Sequence, residues 1–220
     1  LYAIMNPKVQ VLLKFGELPH ISELLQFGNV FINPLSYFKK SINHGRFDKT
    51  EGRFSLTHLD SPKLELRLNE NSEWRPINVL TAQLNEFGND ERIKSYSLFY
   101  ITEEETKNNI PFELSLEMKK MGDYFLLITN PNEFMKRIEA HLNALGLNFN
   151  YSTVNYYDPT VNHQNLGFFD KPQQFDYQKE FRIIVESKVP GPLEFSIGSL
   201  RDIAELMNSQ NCQGFNFSWR

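Results

Sequence analysis

The sequence predicts a single α+β domain built on a mixed, largely antiparallel sheet. Three observations carry this expectation. Long strand-like stretches are interrupted by only a few helical patterns, without the regular strand–helix alternation of a parallel α/β fold. A period-two segment from Arg53 to Leu84 reads as an antiparallel meander inserted into the domain. No Pro/Gly/Ser linker or internal repeat divides the 220 residues, a length that suits one domain.

The elements follow in order. Val9 to Phe15 is an apolar run closed by Gly16, a strand. Pro19 suits a first helical turn, Ile21, Leu24 and Leu25 share one face, and Gly28 stops that helix in a left-handed conformation. Val30 to Ile32 is a short strand, Pro34 to Lys40 a short helix, and Asn43 to Gly52 a polar, turn-like loop. Within the meander Phe54, Leu56, Leu64, Leu66 and Leu68 alternate with polar residues, and Asp60-Ser61-Pro62 and Asn69 to Ser72 mark turns. Ser95 to Ile101 is a strand, Ile110 to Lys120 a helix and Asp123 to Thr129 a buried strand. The clearest helix has Asn130 as cap, Pro131 in the first turn and Glu133 at the capping-box position. Phe134, Ile138, Leu142 and Leu145 form its stripe, and Gly146 ends it. Further strands are expected at Phe149 to Tyr156, Glu180 to Glu186 and Leu193 to Ile197, then a last helix from Leu200 to Met207 capped by Ser199.

Composition narrows the function classes. The chain is 40% apolar and carries 19 Phe, 9 Tyr and 2 Trp, enough bulk for a core and too much for a disordered chain. No run approaches 18 apolar residues, and the first residues lack the order of a signal peptide, so a cytoplasmic setting without membrane contact is expected. The lone Cys212 excludes an intrachain disulfide framework and a cysteine-based zinc site. Histidines 20, 44, 58, 141 and 163 show no metal-binding spacing. GxSxG, GxGxxG and GxxxxGK[ST] are all missing. A formal charge of −4 gives no global attraction to nucleic acid.

Three segments can carry chemistry. In Gln178-Lys179-Glu180-Phe181-Arg182-Ile183-Ile184-Val185, strand alternation puts Phe181, Ile183 and Val185 toward the core and Gln178, Glu180 and Arg182 in one row opposite. An amide, a carboxylate and a guanidinium in a row can bind a polar ligand and stabilise developing charge, or simply form a surface ion pair. The loop after Tyr37-Phe38 brings Arg46, Asp48 and Glu51 between glycines, and at least one of them is expected to reach the same cleft as Glu180. Lys14, near the end of the first strand, points into a cleft or into water.

Taken together, KFGELPHISELLQFGNVFINPLSYFKK, GRFDKTEG, SYSLFYI, MGDYFLLI, FFDKPQQFDYQKEFRIIV and LEFSIGSLRDI resemble a widespread bacterial and phage family. Its members open with a strand–helix–glycine–aromatic–Asn unit and close with a Tyr-(Glu/Gln)-x-Glu-aromatic-Arg strand. More distantly, the opening unit and Gln178-Lys179-Glu180 are similar to the ADP-ribosyltransferase superfamily and its (Gln/Glu)-x-Glu motif. That resemblance implies a split central sheet and an NAD-using enzyme that modifies a nucleic acid or protein, in a setting of phage–host conflict. It makes Glu180 the catalytic carboxylate and Gln178 the residue orienting the acceptor. Lys14, Tyr37, Arg46, Asp48 and Arg182 become the NAD-binding set, with Tyr37 stacking the nicotinamide. The first strand departs from that superfamily's pattern, having Lys14 where a His or Arg is expected. Two alternatives use the same strand: a metal-dependent nuclease built on Asp123 and Glu180-x-Arg182, and a non-catalytic binding module in which that row is structural.

Overall fold

The computed structural model describes residues 8–40, 48–88, 91–107 and 111–215. The chain opens with β1 (Val9–Gly16), α1 (Leu18–Phe27), β2 (Asn29–Pro34) and α2 (Leu35–Lys40). Gly28 ends α1 at φ 68°, where its N–H is bonded to Leu24 O. A Cβ there would lie 2.0 Å from Gly198 O, so the position requires glycine on two counts.

Next come β3 (Arg53–Asp60), β4 (Lys63–Leu66), β5 (Arg75–Asn78) and β6 (Thr81–Phe87). They do not form the expected meander. β3 pairs with β6 and β4 with β5, making one long two-stranded ribbon with a single reversal. Both turn signals are real, but they act differently. Asn69–Ser72 reverses the chain, with Arg67 Nε donating to the carbonyls of Asn69 and Ser72. Ser61, at φ 49°, donates its N–H to Leu80 O and thereby joins the ribbon's two sections rather than reversing it.

The rest is β7 (Ile93–Thr102), α3 (Glu103–Lys107), β8 (Phe112–Glu113), α4 (Leu116–Lys119), β9 (Tyr124–Ile128) and α5 (Pro131–Ala144). Then follow β10 (Asn148–Thr153), β11 (Asn155–Tyr157), β12 (Asp170–Pro172), a 3-10 turn (Gln173–Gln178) and β13 (Glu180–Glu186). β14 (Leu193–Ser196), β15 (Ala204–Asn208) and β16 (Gly214–Phe215) complete it. Asn130 caps α5 as expected, accepting from Glu133 N–H at 3.1 Å. The helix expected over 110–120 shrinks to α4, because Ser115 caps only there, at Met118 N–H, after β8 has paired with β16. The last expected helix is a strand. Ser199 Oγ accepts from Arg201 N–H in a local turn, and Ala204–Asn208 instead pairs with β9 along its full length. Satisfying the edge of a buried strand outweighs local helix propensity here.

The fold is α+β, with antiparallel pairing throughout the main sheet, whose order is β10-β13-β7-β1-β9-β15. Only β11–β12 pairs in parallel among the described strands. One edge of β7 serves two strands. β1 covers it from Phe99 to Thr102, while β2, itself paired with β14, covers Lys94 and Ser95. Residues 96–98 lie between, where β1 and β2 diverge. On one face of the sheet Leu12, Leu126, Ile128, Phe181 and Ile183 pack with α1 and with Phe134, Ile138 and Leu142 of α5. On the other, Leu13, Phe15, Phe99 and Phe125 pack with Met118 and the partly buried Phe112 and Phe215. No helix among the described residues is long and apolar enough to cross a membrane.

Candidate functional site: a buried charge network where two strands diverge

β13 obeys the predicted alternation. Phe181, Ile183 and Val185 are fully buried on the α5 side, and Glu180 and Arg182 project from the opposite face. That second face is not an open row. Glu180 and Arg182 are 3% and 1% exposed, because the loop at 48–52 and the segment 168–178 close over them. Gln178 leaves the expected row. It ends the 3-10 turn, and Lys179, at φ 36°, breaks the strand alternation between it and Glu180. Gln178 rejoins the cluster by another route, accepting at Oε1 from Lys171 Nζ at 2.8 Å.

Arg182 organises this network. Its Nε donates to Glu180 Oε1 at 2.6 Å, and its two terminal nitrogens donate to the two Glu51 oxygens at 2.7 and 3.3 Å. It also donates to the carbonyl of Phe168. Lys171 Nζ donates to Glu180 Oε2 at 2.9 Å and lies 3.9 Å from Glu51 and 4.0 Å from Asp48. Ser97 Oγ donates to Glu180 Oε1 at 2.5 Å, and the Glu180 N–H donates to the Tyr156 hydroxyl at 3.0 Å. Asp48 folds its own loop, accepting from Thr50 at Oδ1, and its buried Oδ2 has no hydrogen-bond partner.

The electrostatics separate the two glutamates. Burial alone would raise the Glu180 carboxyl. The charges of Arg182 and Lys171 and the bonds from Arg182 and Ser97 outweigh burial and hold it far below the ordinary range. For Glu51, burial wins, helped by repulsion from Glu180 and Asp48, and its pKa rises despite Arg182 and Lys171. Burial acts to lower the pKa of Arg182, but both glutamates together raise it. The network therefore favours the ionised form of Glu180, while burial favours the neutral form of Glu51.

A cleft of about 750 Å³ opens where β1 and β2 diverge, lined in part by Lys14, Tyr37, Glu51, Gln178, Glu180 and Arg182. Of the loop charges, Glu51 reaches it, Asp48 sits behind Lys171, and Arg46 falls outside the described residues. Tyr37 stands at the mouth, 41% exposed, edge-on to Phe38. Lys14 enters from the other side. It shares the face of Leu12 and Tyr96, opposite to Glu180, and its Nζ lies 3.9 Å over the Tyr96 ring. It donates to Ser97 O at 2.8 Å where β1 and β2 diverge, so Ser97 connects the two faces.

Asp123 is not brought to Glu180. It is exposed beside β9, three strand spacings from β13, which is about 14 Å in the sheet direction. Among the described residues no group of His, Cys, Asp and Glu is arranged to hold a metal ion. Sequence reasoning missed Lys171, Ser97 and Tyr156. The only signal was Lys171-Pro172 inside an aromatic-rich run, a charge where strand and turn residues surround it. Neither a protein-family model, nor a curated protein, nor a solved structure matches the chain, so the chemistry of the cleft rests on these side chains alone.

Proposed function

We propose that the cleft is an ADP-ribosyltransferase-like site that consumes NAD and modifies a nucleic acid or protein acceptor, in keeping with a role in phage–host conflict. The observation that carries this reading is Glu180: a buried carboxylate, its pKa held down by Arg182 and Lys171, on the wall of a cleft of about 750 Å³. That volume lies within the range of ligand pockets. Cleavage of the nicotinamide–ribose bond develops positive charge on the sugar, and a fixed anion stabilises that charge without reorganising.

Three donors occupy Glu180, from Arg182, Ser97 and Lys171, while an ionised carboxylate offers about four lone-pair sites. One position therefore remains for a ribose hydroxyl. Gln178 is held through its oxygen by Lys171, and its Nε2 donates to the Tyr177 hydroxyl at 3.4 Å, so its second amide hydrogen is the one proposed to orient an acceptor. Tyr37 supplies an exposed ring at the mouth for stacking, and Lys14 supplies a cation on the opposite face of the sheet.

A second reading, a binding module without catalysis, is favoured by one observation. Arg182 donates to Glu180, Glu51 and the Phe168 carbonyl, as a structural keystone would.

Calorimetric titration with NAD and assay of free nicotinamide separate the two. Glu180→Gln should keep NAD binding and lose about 10²–10³ in turnover. Absence of NAD binding at millimolar concentration would remove the transferase and leave the module. Nucleic-acid cleavage lost with EDTA and in Asp123→Asn would instead require the nuclease.

A further inference from the structure

The wall of the cleft built by β2 and β14 has its own chemistry. Asn33 is the cross-strand partner of Ser95, Ser95 alternates with Ser97, and Ser97 is the partner of Arg182. Paired side chains share a face, so Asn33 lies on the Glu180 side of the sheet. Val30 and Ile32 are buried in the core at 2% and 0%, which sends Asn29 and Phe31 to that same side. In β14, Glu194 stands directly across from Phe31 and Ser196 across from Asn29. All five of these residues line the cleft.

Packing does not explain this composition. Phe31 is 48% exposed, and among the described residues its ring stacks on no other. Asn29 and Asn33 lie about 7 Å from it along the strand, one on each side, and Glu194 lies about 5 Å across. Ser196 donates to the Phe27 carbonyl, whereas among the described residues the side chains of Asn29, Asn33 and Glu194 have no hydrogen-bond partner. A ring between two amides and a carboxylate suits a flat heteroaromatic ligand. The ligand stacks on Phe31 and turns its polar edges to the neighbours. An amide offers a donor beside an acceptor, as the edge of a nucleobase requires. A carboxylate only accepts, which favours a base with an exocyclic amine. A guanidinium would also stack and pair with Glu194, but it only donates, and the two amide NH2 groups would then meet nothing. This wall supplies no cation, so the phosphates of such a ligand stay in solvent.

We propose that the Asn29–Phe31–Asn33 face of β2, together with Glu194 of β14, binds a nucleobase carrying an exocyclic amine, stacked on Phe31. A nucleic-acid strand and a free nucleotide present the same base edge, and the test separates them. The inference rests on the transferase reading only in making that base the acceptor; the binding itself needs no reaction.

The test titrates the full chain, without NAD, with fluorescent single strands of about six adenine, cytosine or thymine nucleotides, and with AMP by calorimetry. The adenine and cytosine strands should bind about 10-fold or more tighter than the thymine strand, which has no exocyclic amine. Phe31→Ala should weaken the adenine strand by about 10–100-fold and Phe31→Trp should restore it. Glu194→Gln should narrow the gap between adenine and thymine. With no phosphate neutralised by this wall, affinity should change only a few-fold between ~50 and ~200 mM salt. Phe27→Ala, a 57% exposed ring outside the cleft lining, is the control and should leave binding unchanged. AMP bound as tightly as the strand supports the site and assigns it to a free nucleotide; binding of the strand alone supports it and assigns it to a nucleic acid. Failure of both to bind at millimolar concentration would overturn the proposal. So would indifference to Phe31→Ala, equal affinity for thymine, or binding of an arginine-rich peptide instead. NAD turnover without base binding removes this inference and leaves the transferase, whereas base binding without nicotinamide release does the reverse.

Discussion

Replacing Arg182 with Met tests the network at its centre. Methionine keeps much of the length and removes the charge and every donor. In the native protein Arg182 is 1% exposed and donates to Glu180, to both oxygens of Glu51 and to the Phe168 carbonyl. Removing one partner of a buried ion pair leaves the others uncompensated and costs about 3–5 kcal/mol. For a domain of this length that is about 6–20 °C in Tm. Lys171 remains beside Glu180 at 2.9 Å but stands 3.9 Å from Glu51, so Glu51 is left the worse served.

The pH dependence gives the sharper signature. Native Glu180 has a depressed pKa, so its contribution is present above the unfolded value of about 4.3 and is lost as pH falls below it. In the variant both glutamates are pushed upward by burial, and folding then takes up protons. The deficit relative to the native protein should therefore be largest near pH 7 and shrink toward pH 4.5. Urea denaturation at the two pH values reads this directly. A loss below about 1 kcal/mol at pH 7, or an equal loss at both, would refute the account of Arg182 as the centre of a charge network.

Phe181→Ala removes a fully buried ring between sheet and helix and should cost about 3–5 kcal/mol in denaturant titration with an unchanged slope; a loss under 1 kcal/mol would mean β13 does not anchor this core. Gly28→Ala combines a positive φ with a Cβ set 2.0 Å from Gly198 O, and should lower stability by about 2 kcal/mol or more, with a neutral calorimetric result contradicting the close approach. Asn130→Ala should lose about 1 kcal/mol through the α5 cap, and no change in Tm would show that the bond to Glu133 N–H contributes nothing.

The legible parts of the fold are those where local chemistry and tertiary demand agree. The α5 helix carries its own cap, proline and stripe, and β13 carries its alternation, so both stand where the pattern places them, except that Leu145, expected to continue the stripe, is the 51% exposed residue that caps α5. The segment 200–208 fails because its fate is decided elsewhere: the edge of β9 needs a partner, and periodicity over so few residues cannot express that. The arm was read as strands correctly but paired wrongly, since a turn motif does not announce whether the chain reverses or merely kinks. At the site, Glu180 and Arg182 were visible as a pattern on one strand. Their burial was not, because the lid comes from Glu51 and Lys171, which lie far from them or on another element. Nor does a sequence reveal that Lys14 and Glu180 lie on opposite faces, which follows only from the register of β1, β7 and β13.

The junction of β2 with β7 has a mechanical consequence. Four residue pairs bind β2 to β14, but only Asn33–Ser95 and Pro34–Lys94 bind it to β7, and the proline has no N–H to give. The β2–β14 pair is thus a leaf joined to β7 by few backbone bonds, beside a sheet whose other strands pair over four to seven residues. Val30 and Ile32 anchor that leaf in the core, with Leu193 and Phe195 packed against it, so its local opening costs buried apolar contacts rather than many hydrogen bonds. Amide hydrogens along β2 and β14 should exchange with solvent well before those of β7 and β13, and bound ligand should slow the leaf selectively.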